Sequence, residues 1–141
     1  MDFFTGLDIS GSALSAERTR LNLASSNLAN AETTRGPNGQ PYQRLDPVFE
    51  AVPVMGPGDT LGAEGASAVK VSQVVADPTP GKRIYSPGHP DADTEGFVQL
   101  PNVNPVYEVV NLLSASRGYE ASATAVETLK QMAQRGLDIA R

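Results

Sequence analysis

The positions of the prolines constrain the fold of this 141-residue chain more than any other feature. All eleven prolines lie between Pro37 and Pro105, so residues 1–36 and 106–141 contain none. Because proline removes a helical hydrogen bond and clashes with the preceding turn, the middle of the chain cannot hold a long helix. The sequence therefore divides into a helical segment, a middle of strands and turns, and a second helical segment.

The first segment carries two apolar lines with heptad spacing. The first line consists of Leu7, Leu14, Leu21 and Leu28. The second line consists of Ile9, Ala16 and Leu23. Because the second line is displaced by two residues, it lies about 200° around the helix from the first. A helix in a lone hairpin needs one apolar face, so two faces predict neighbours on more than one side.

The last segment begins with Asn104-Pro105, which predicts an N-cap followed by proline at the first helical position. Its apolar seam consists of Leu112, Tyr119, Val126 and Ala133, flanked by Leu129. Heptad seams on both segments predict that the two helices pair as a coiled coil, within and between subunits. From periodicity alone, an ordinary antiparallel hairpin in a soluble monomer explains these seams equally well.

The middle of the chain predicts short strands separated by turns. The candidate strands are residues 42–54, 69–75, 82–85 and 97–100. Four glycines within residues 55–68 predict a mobile loop there. The predicted fold is therefore α+β, with paired terminal helices (residues 1–31 and 105–141) and a small β-rich, Pro/Gly-rich middle domain (residues 32–104).

Composition excludes several classes of function. With a net charge of −5, the chain is not expected to bind nucleic acid, since proteins that do so present a basic face. The absence of cysteine rules out disulfides and thiolate metal sites. The first residues show no basic start and no apolar run of the kind that predicts a signal peptide, and no apolar run in the sequence is long enough to span a membrane. We therefore expect a protein without a membrane span that is not processed by cleavage of a leader.

The first helical segment also contains residues that disfavour a stable isolated helix. Gly6, Gly11, Asn22, Asn27 and Asn30 prefer turns and caps to helix interiors. Burying its leucines stabilises such a helix by less than ordering its residues costs. We hypothesise that the ends of the chain become fully helical only when they pack against other molecules.

Several motifs resemble those of the axial family of the bacterial flagellum, which comprises the rod and hook proteins. Residues 10–18 and 26–34 resemble the amino-terminal signature of this family, and residues 115–122 resemble its carboxyl-helix motif. Residues 77–80, 85–93, 96–98 and 100–103 resemble the signature of its proximal-rod branch. The residues that carry these motifs include Asn27, Asn30, His89, Asp91, Asp93, Pro101, Asn102, Arg117, Tyr119 and Glu120.

The resemblance implies a structural subunit of a hollow, torque-transmitting rod. Its partners would be other copies of itself, other flagellar rod proteins, an adaptor between the rod base and the membrane ring or export gate, and the type III export apparatus. It would be exported uncut and assemble in the periplasm. The alternatives are another axial protein, such as the sister proximal-rod subunit or the distal rod protein, or a calcium-binding module.

Catalytic and metal chemistry have little support in the sequence. Asp91, Asp93 and Gly96 match the start of a calcium loop, but its twelfth position is Asn102 in place of the usual glutamate. A solvated turn that positions Phe97 is the simpler interpretation. His89 is the only histidine, so a multi-histidine zinc site is impossible. We expect no enzyme activity, cofactor or metal.

Overall fold

The computed structural model describes residues 3–54 and 66–139. In chain order the elements are α1 (Phe3–Ala29), β1 (Leu45–Pro53), β2 (Ser67–Ala76), β3 (Arg83–Tyr85), β4 (Phe97–Gln99) and α2 (Pro105–Ile139). Two long helices and small antiparallel sheets confirm the predicted α+β class.

Local side-chain chemistry fixes one boundary of each helix. Asn104 caps α2, because its Oδ1 accepts hydrogen bonds from the backbone N–H groups of Val106 (3.0 Å) and Tyr107 (3.4 Å). Pro105 is the first residue of α2, as predicted. Beyond the end of α1, the Nδ2 group of Asn30 donates to the backbone carbonyl of Ser26 (2.9 Å), which also accepts from the backbone N–H of Asn30 (3.1 Å).

Four strands form where the sequence predicts them, within a few residues at each end. β1 and β2 form one two-stranded sheet, to which Ser72 Oγ adds a bond to the carbonyl of Val48 (3.2 Å). β3 and β4 form a second, antiparallel sheet in which Ile84 pairs with Val98. The predicted loop over residues 55–68 lies largely outside the described residues, although Ser67 and Ala68 belong to β2.

The chain divides into two compact units, and each helix contributes residues to both. Unit 1 comprises Met1–Thr19, Val48–Gln73 and Ser114–Arg141. Unit 2 comprises Arg20–Pro47 and Val74–Leu113. The separation into terminal helices and a middle domain stays a prediction.

The apolar side chains that are fully buried on the described parts of the helices are small. Ala16 and Ala24 are buried on α1, and Ala115 is buried on α2. Ala16 belongs to the second apolar line of α1, whereas the four leucines of the first line are only half-buried. The contacts within a single chain therefore leave much of the leucine line open to another molecule.

Candidate functional site: a buried polar cluster and the helix faces

Asn27, near the end of α1, is the centre of a buried polar cluster in unit 2. Its side chain is 1% exposed and makes four hydrogen bonds. Nδ2 donates to the backbone carbonyl of Leu45 (2.9 Å) and to Glu108 Oε2 (3.3 Å). Oδ1 accepts from the backbone N–H of Leu45 and from Tyr42 Oη, both at 2.9 Å. The amide therefore uses its full hydrogen-bonding capacity.

Glu108, on the first turns of α2, is fully buried beside Asn27. Arg44 Nε donates to Glu108 Oε1 at 2.5 Å, and the same guanidinium pairs with Asp46. It also lies over the ring of Tyr107, 5.4 Å from the centroid. Burial disfavours the charged guanidinium, but the hydrogen bonds to Glu108 and Asp46 outweigh this effect and raise the pKa of Arg44. Arg44 therefore keeps its positive charge throughout the pH range of a living cell.

Asn102 connects Arg44 to the middle of the chain. Its Oδ1 accepts from the backbone N–H of Arg44 (2.8 Å), and its Nδ2 donates to the carbonyl of Asp77 (3.0 Å). The backbone N–H of Asp77 in turn donates to the carbonyl of Arg44 (2.8 Å). We define the polar cluster as Asn27, Tyr42, Arg44, Asn102 and Glu108.

The arrangement of the polar cluster is suited to holding segments together. It joins the end of α1, the start of β1 and the start of α2 through direct hydrogen bonds. Such satisfied networks favour a single arrangement of the segments they join, because a partly satisfied network is costly in a dry interior. The polar cluster therefore fixes the geometry with which the helices leave the middle of the chain.

Of this cluster, the sequence predicts Asn27 and Asn102 as motif residues and Glu108 as an anion favoured by the dipole at the start of the second helix. A signal for Glu108 was present, since it lies four residues before Leu112 and seven before Ala115 on the apolar seam of α2. A carboxylate on a buried seam needs a cation or other hydrogen-bond donors beside it. No pattern in the sequence indicates that Arg44, 64 residues away, is that cation.

In unit 1 the two helices contact each other at glycines. A Cβ atom on Gly6 would lie 3.2 Å from Leu129 Cδ1, and one on Gly118 would lie 2.9 Å from Glu17 Oε1. A side chain at Gly118 would displace Glu17, so glycine there permits the close approach. This helps explain why a residue that weakens helices occurs within α2.

Most predicted packing residues are half-buried in the single chain, namely Leu7, Leu14, Leu21, Leu23, Leu28, Leu112, Val126, Leu129 and Ala133. Tyr119 is exposed. Their role in contacts between subunits stays a prediction.

The turn that resembles the start of a calcium loop already has partners for its carboxylates. Asp91 accepts from Thr34 Oγ1 (2.8 Å) and pairs with Arg35 (2.9 Å). Asp93 Oδ1 accepts from the backbone N–H of Phe97 (2.8 Å), and its Oδ2 pairs with Arg83 (2.6 Å). No group of three or more metal-ligating acidic, histidine or cysteine side chains occurs within residues 3–54 and 66–139. The calcium-binding alternative gains no support.

The contacts of Asp91 and Asp93 shape the turn that precedes β4 and position this strand. Gly96 has a φ of +82°, a conformation that glycine adopts without strain. Phe97 packs edge-to-face on Tyr85 with ring centroids 5.3 Å apart, and Val98 is buried. The interpretation of this segment as a turn that positions Phe97 and Val98 is confirmed.

The pKa of Asp93 gives a testable pH dependence. A hydrogen bond from the backbone N–H of Phe97 lowers this pKa below its ordinary value of 3.8, and partial desolvation opposes that effect. Arg83 and the backbone N–H of Glu95 lower the pKa further. Because the folded-state pKa is depressed, the carboxylate stabilises the fold above pH 3.8, and this stabilisation is lost as the pH falls through the folded-state value. We expect the melting temperature of wild type to exceed that of Asp93→Asn at pH 6, and the difference to shrink progressively as the pH is lowered below 3.8. A difference in melting temperature that does not change with pH would show that the charge of the Asp93 carboxylate is not the source of the stabilisation.

The remaining motif residues occupy varied environments. His89 Nδ1 accepts from the backbone N–H of Asp91 (3.1 Å), which makes it part of the same turn. Pro101 is buried, whereas Arg117 and Glu120 are exposed on α2. Within the described part of the chain, no helix has the length and hydropathy required to cross a membrane.

Comparison with known proteins gives a consistent result along the whole chain. A family model described as "Flagella basal body rod protein" matches residues 7–37, and one described as "Flagellar basal body rod FlgEFG protein C-terminal" matches residues 94–139. The flagellar basal-body rod protein FlgC of Salmonella typhimurium is 43% identical over 132 residues, covering 94% of this chain and 93% of the relative. FlgC of Yersinia enterocolitica is 40% identical, covering 99% and 98%, and FlgC of Bacillus subtilis is 37% identical over the full length of both chains.

Proposed function

The chain belongs to the FlgC family of flagellar basal-body rod proteins, and from this premise we propose that it builds the proximal part of a hollow rod that transmits torque. It is a structural subunit of the flagellar basal body. The observation that carries the assignment is the similarity to FlgC proteins from end to end, at 37% identity over the full length of the Bacillus relative.

The proposed mechanical role rests on how the helices are anchored. The polar cluster joins α1, β1 and α2 through an ion pair whose carboxylate is fully buried and through a fully satisfied amide. A load applied to α1 or α2 near the cluster is therefore passed to the other helix and to β1 by direct bonds. The half-buried leucine line of α1 supplies apolar surface for close packing between subunits.

We propose that α1 and α2 pair as a coiled coil that forms the inner wall of the rod. Support comes from the contact of Gly6 with Leu129 and of Gly118 with Glu17 in unit 1. The heptad spacing of both seams supports the same pairing. The β-strands of the middle segment would then lie outside this wall.

The proposed partners are other copies of this chain, other flagellar rod proteins and an adaptor between the rod base and the membrane ring or export gate. The chain would reach the periplasm through the type III export apparatus without cleavage. We also propose that it has no catalytic role, because the ionisable side chains of the polar cluster and the turn are engaged in bonds that hold the fold.

The direct test of the function is a strain from which the gene for this chain is deleted. We expect such cells to be non-motile, to lack a completed rod in electron micrographs of purified basal bodies, and to recover both features with the wild-type gene. Normal rods in the deletion strain would refute the assignment.

Amide hydrogen exchange on the isolated chain tests whether other molecules order the start of α1. Because the polar cluster holds Asn27 within one chain, we expect slow exchange at its neighbours in the last turns of α1. The amides of residues 7–21 should exchange much faster, since no side chain in this range belongs to the polar cluster. Strong, uniform protection from Leu14 to Leu28 would contradict this view.

A further inference from the structure

A two-stranded sheet such as β1–β2 has two outer edges, whose backbone groups can pair with a strand of another molecule. The sequence of β2 increases this hazard. Residues 69–75 contain four valines and one charged residue, and they include neither proline nor glycine. High β-propensity, low charge and the absence of proline are typical of segments that associate through strands. The outer edge of β2 therefore needs protection.

Backbone hydrogen bonds show which groups of β2 face outward. Where the strand begins, the N–H of Val54 donates to the carbonyl of Ala66 (3.2 Å), so residue 66 faces β1. Successive residues of an antiparallel pair alternate between facing the partner strand and facing away from it. Val69, three positions later, therefore directs its backbone N–H to the outer edge, where a carbonyl of another strand could accept it.

Ser12 of α1 occupies this donor. Its Oγ accepts from the backbone N–H of Val69 (3.1 Å) and donates to the carbonyl of Ile9 (2.7 Å), so the hydroxyl is bonded on both sides. Ser12 is half-buried, and both Ala16, one turn later in α1, and Ala66 are buried. In unit 1, α1 therefore covers the outer edge of β2 near the start of the strand.

The outer edge of β1 is blocked by other residues. The amide of Asn27 bonds to both the N–H and the carbonyl of Leu45, as a neighbouring strand would, so Leu45 faces away from β2. Pro47 and Pro53 lie two and eight positions further along β1, so they face outward as well. A proline offers no N–H to another strand, and prolines are tolerated at such edge positions.

We propose that Ser12 is a protective residue, which keeps the outer edge of β2 from pairing with the same edge of a second copy of this chain. β2 contains no proline, so the hydroxyl of Ser12 does for β2 what Asn27 and two prolines do for β1. Without the hydroxyl, the N–H of Val69 is left for a carbonyl of another chain. The device belongs to the single chain and acts before copies join the rod.

Amide exchange measured by NMR on the purified chain tests the contact. The polar cluster does not hold Ser12, so its bond to Val69 contributes directly to how often the edge opens. Ser12→Ala should speed exchange of the Val69 amide about 2- to 12-fold, which is the ratio that one ordinary hydrogen bond supplies. Ser15→Ala makes the same substitution at an exposed position of α1 and should leave this rate unchanged. An unchanged rate in Ser12→Ala would refute the contact.

Association of the purified chain tests the protective role. Thioflavin T fluorescence and sedimentation measure how fast strand-paired aggregates form. We expect Ser12→Ala to form them at least 2-fold faster than wild type, since association follows the population of chains with an open edge, whereas Ser15→Ala should match wild type. Because alanine favours helix more than serine does, a weaker α1 does not account for such a difference.

Ser12→Thr and Ser12→Val form a second pair of similar shape, in which only threonine keeps the hydroxyl. The threonine variant should match wild type and the valine variant should associate faster, and this comparison decides the question if Ser12→Ala does not fold. Equal association of the two would refute the proposal, as would faster exchange at Val69 without faster association. Aggregates of Ser12→Ala/Val69→Pro that form as fast as those of Ser12→Ala would also refute it, because proline removes the edge donor itself.

Discussion

Arg44→Ala is expected to lower the free energy of unfolding of the chain by about 3–5 kcal/mol. Arg44 is the cation that pairs with Glu108, whose carboxylate is completely buried. Removing it leaves a buried negative charge whose remaining side-chain partner is the amide of Asn27. Urea denaturation of the purified chain, followed by the combined fluorescence of its four tyrosines, measures the change.

Arg83→Ala is the matched control, since Arg83 also pairs with a carboxylate but both groups of its pair with Asp93 are substantially exposed. Exposed ion pairs contribute about 0–1 kcal/mol, so this variant should stay close to wild type. A loss below 1 kcal/mol for Arg44→Ala would mean that Glu108 is hydrated or neutralised in the folded chain. In that case the polar cluster would not hold the three segments together.

Leu21→Asp is expected to abolish swimming by preventing completion of the rod. Leu21 lies in the leucine line of α1 and is half-buried in the single chain. The proposed neighbours in the rod would cover it, and an unpaired carboxylate there would lose its hydration without gaining a partner. Swimming-plate assays and electron microscopy of basal bodies from the variant strain measure the effect.

Asn22→Asp provides the control, because Asn22 is exposed and follows Leu21 directly in α1. The substitution introduces the same carboxylate on the same helix. We expect this variant to swim normally. If Leu21→Asp cells swim and contain normal rods, the leucine line is not covered in the rod. If both variants fail, an added negative charge on α1 is sufficient to explain the defect.

Much of the secondary structure could be predicted because it depends on local chemistry. The prolines exclude helix from the middle, Asn104-Pro105 begins α2, and Val69 to Val75 lies within β2. These features need only neighbouring residues, so a single sequence contains enough information to locate them.

The polar cluster could not be predicted because its contacts are long-range. Asn27 and Glu108 are 81 positions apart, and only the folded chain brings them together. The heptad rule also gave an incomplete account of α1, since the buried Ala16 lies on the second apolar line, and the leucine line is half-buried. Periodicity identifies apolar faces but does not say which face packs within the chain and which packs on a neighbour.

Electron cryo-microscopy of the purified basal body tests the central claim most directly. The account predicts that this chain forms part of the rod, with α1 and α2 paired along its inner wall and with Leu7, Leu14 and Leu21 covered by adjacent subunits. A rod that lacks this chain, or a rod in which the leucine line of α1 faces water, would contradict it.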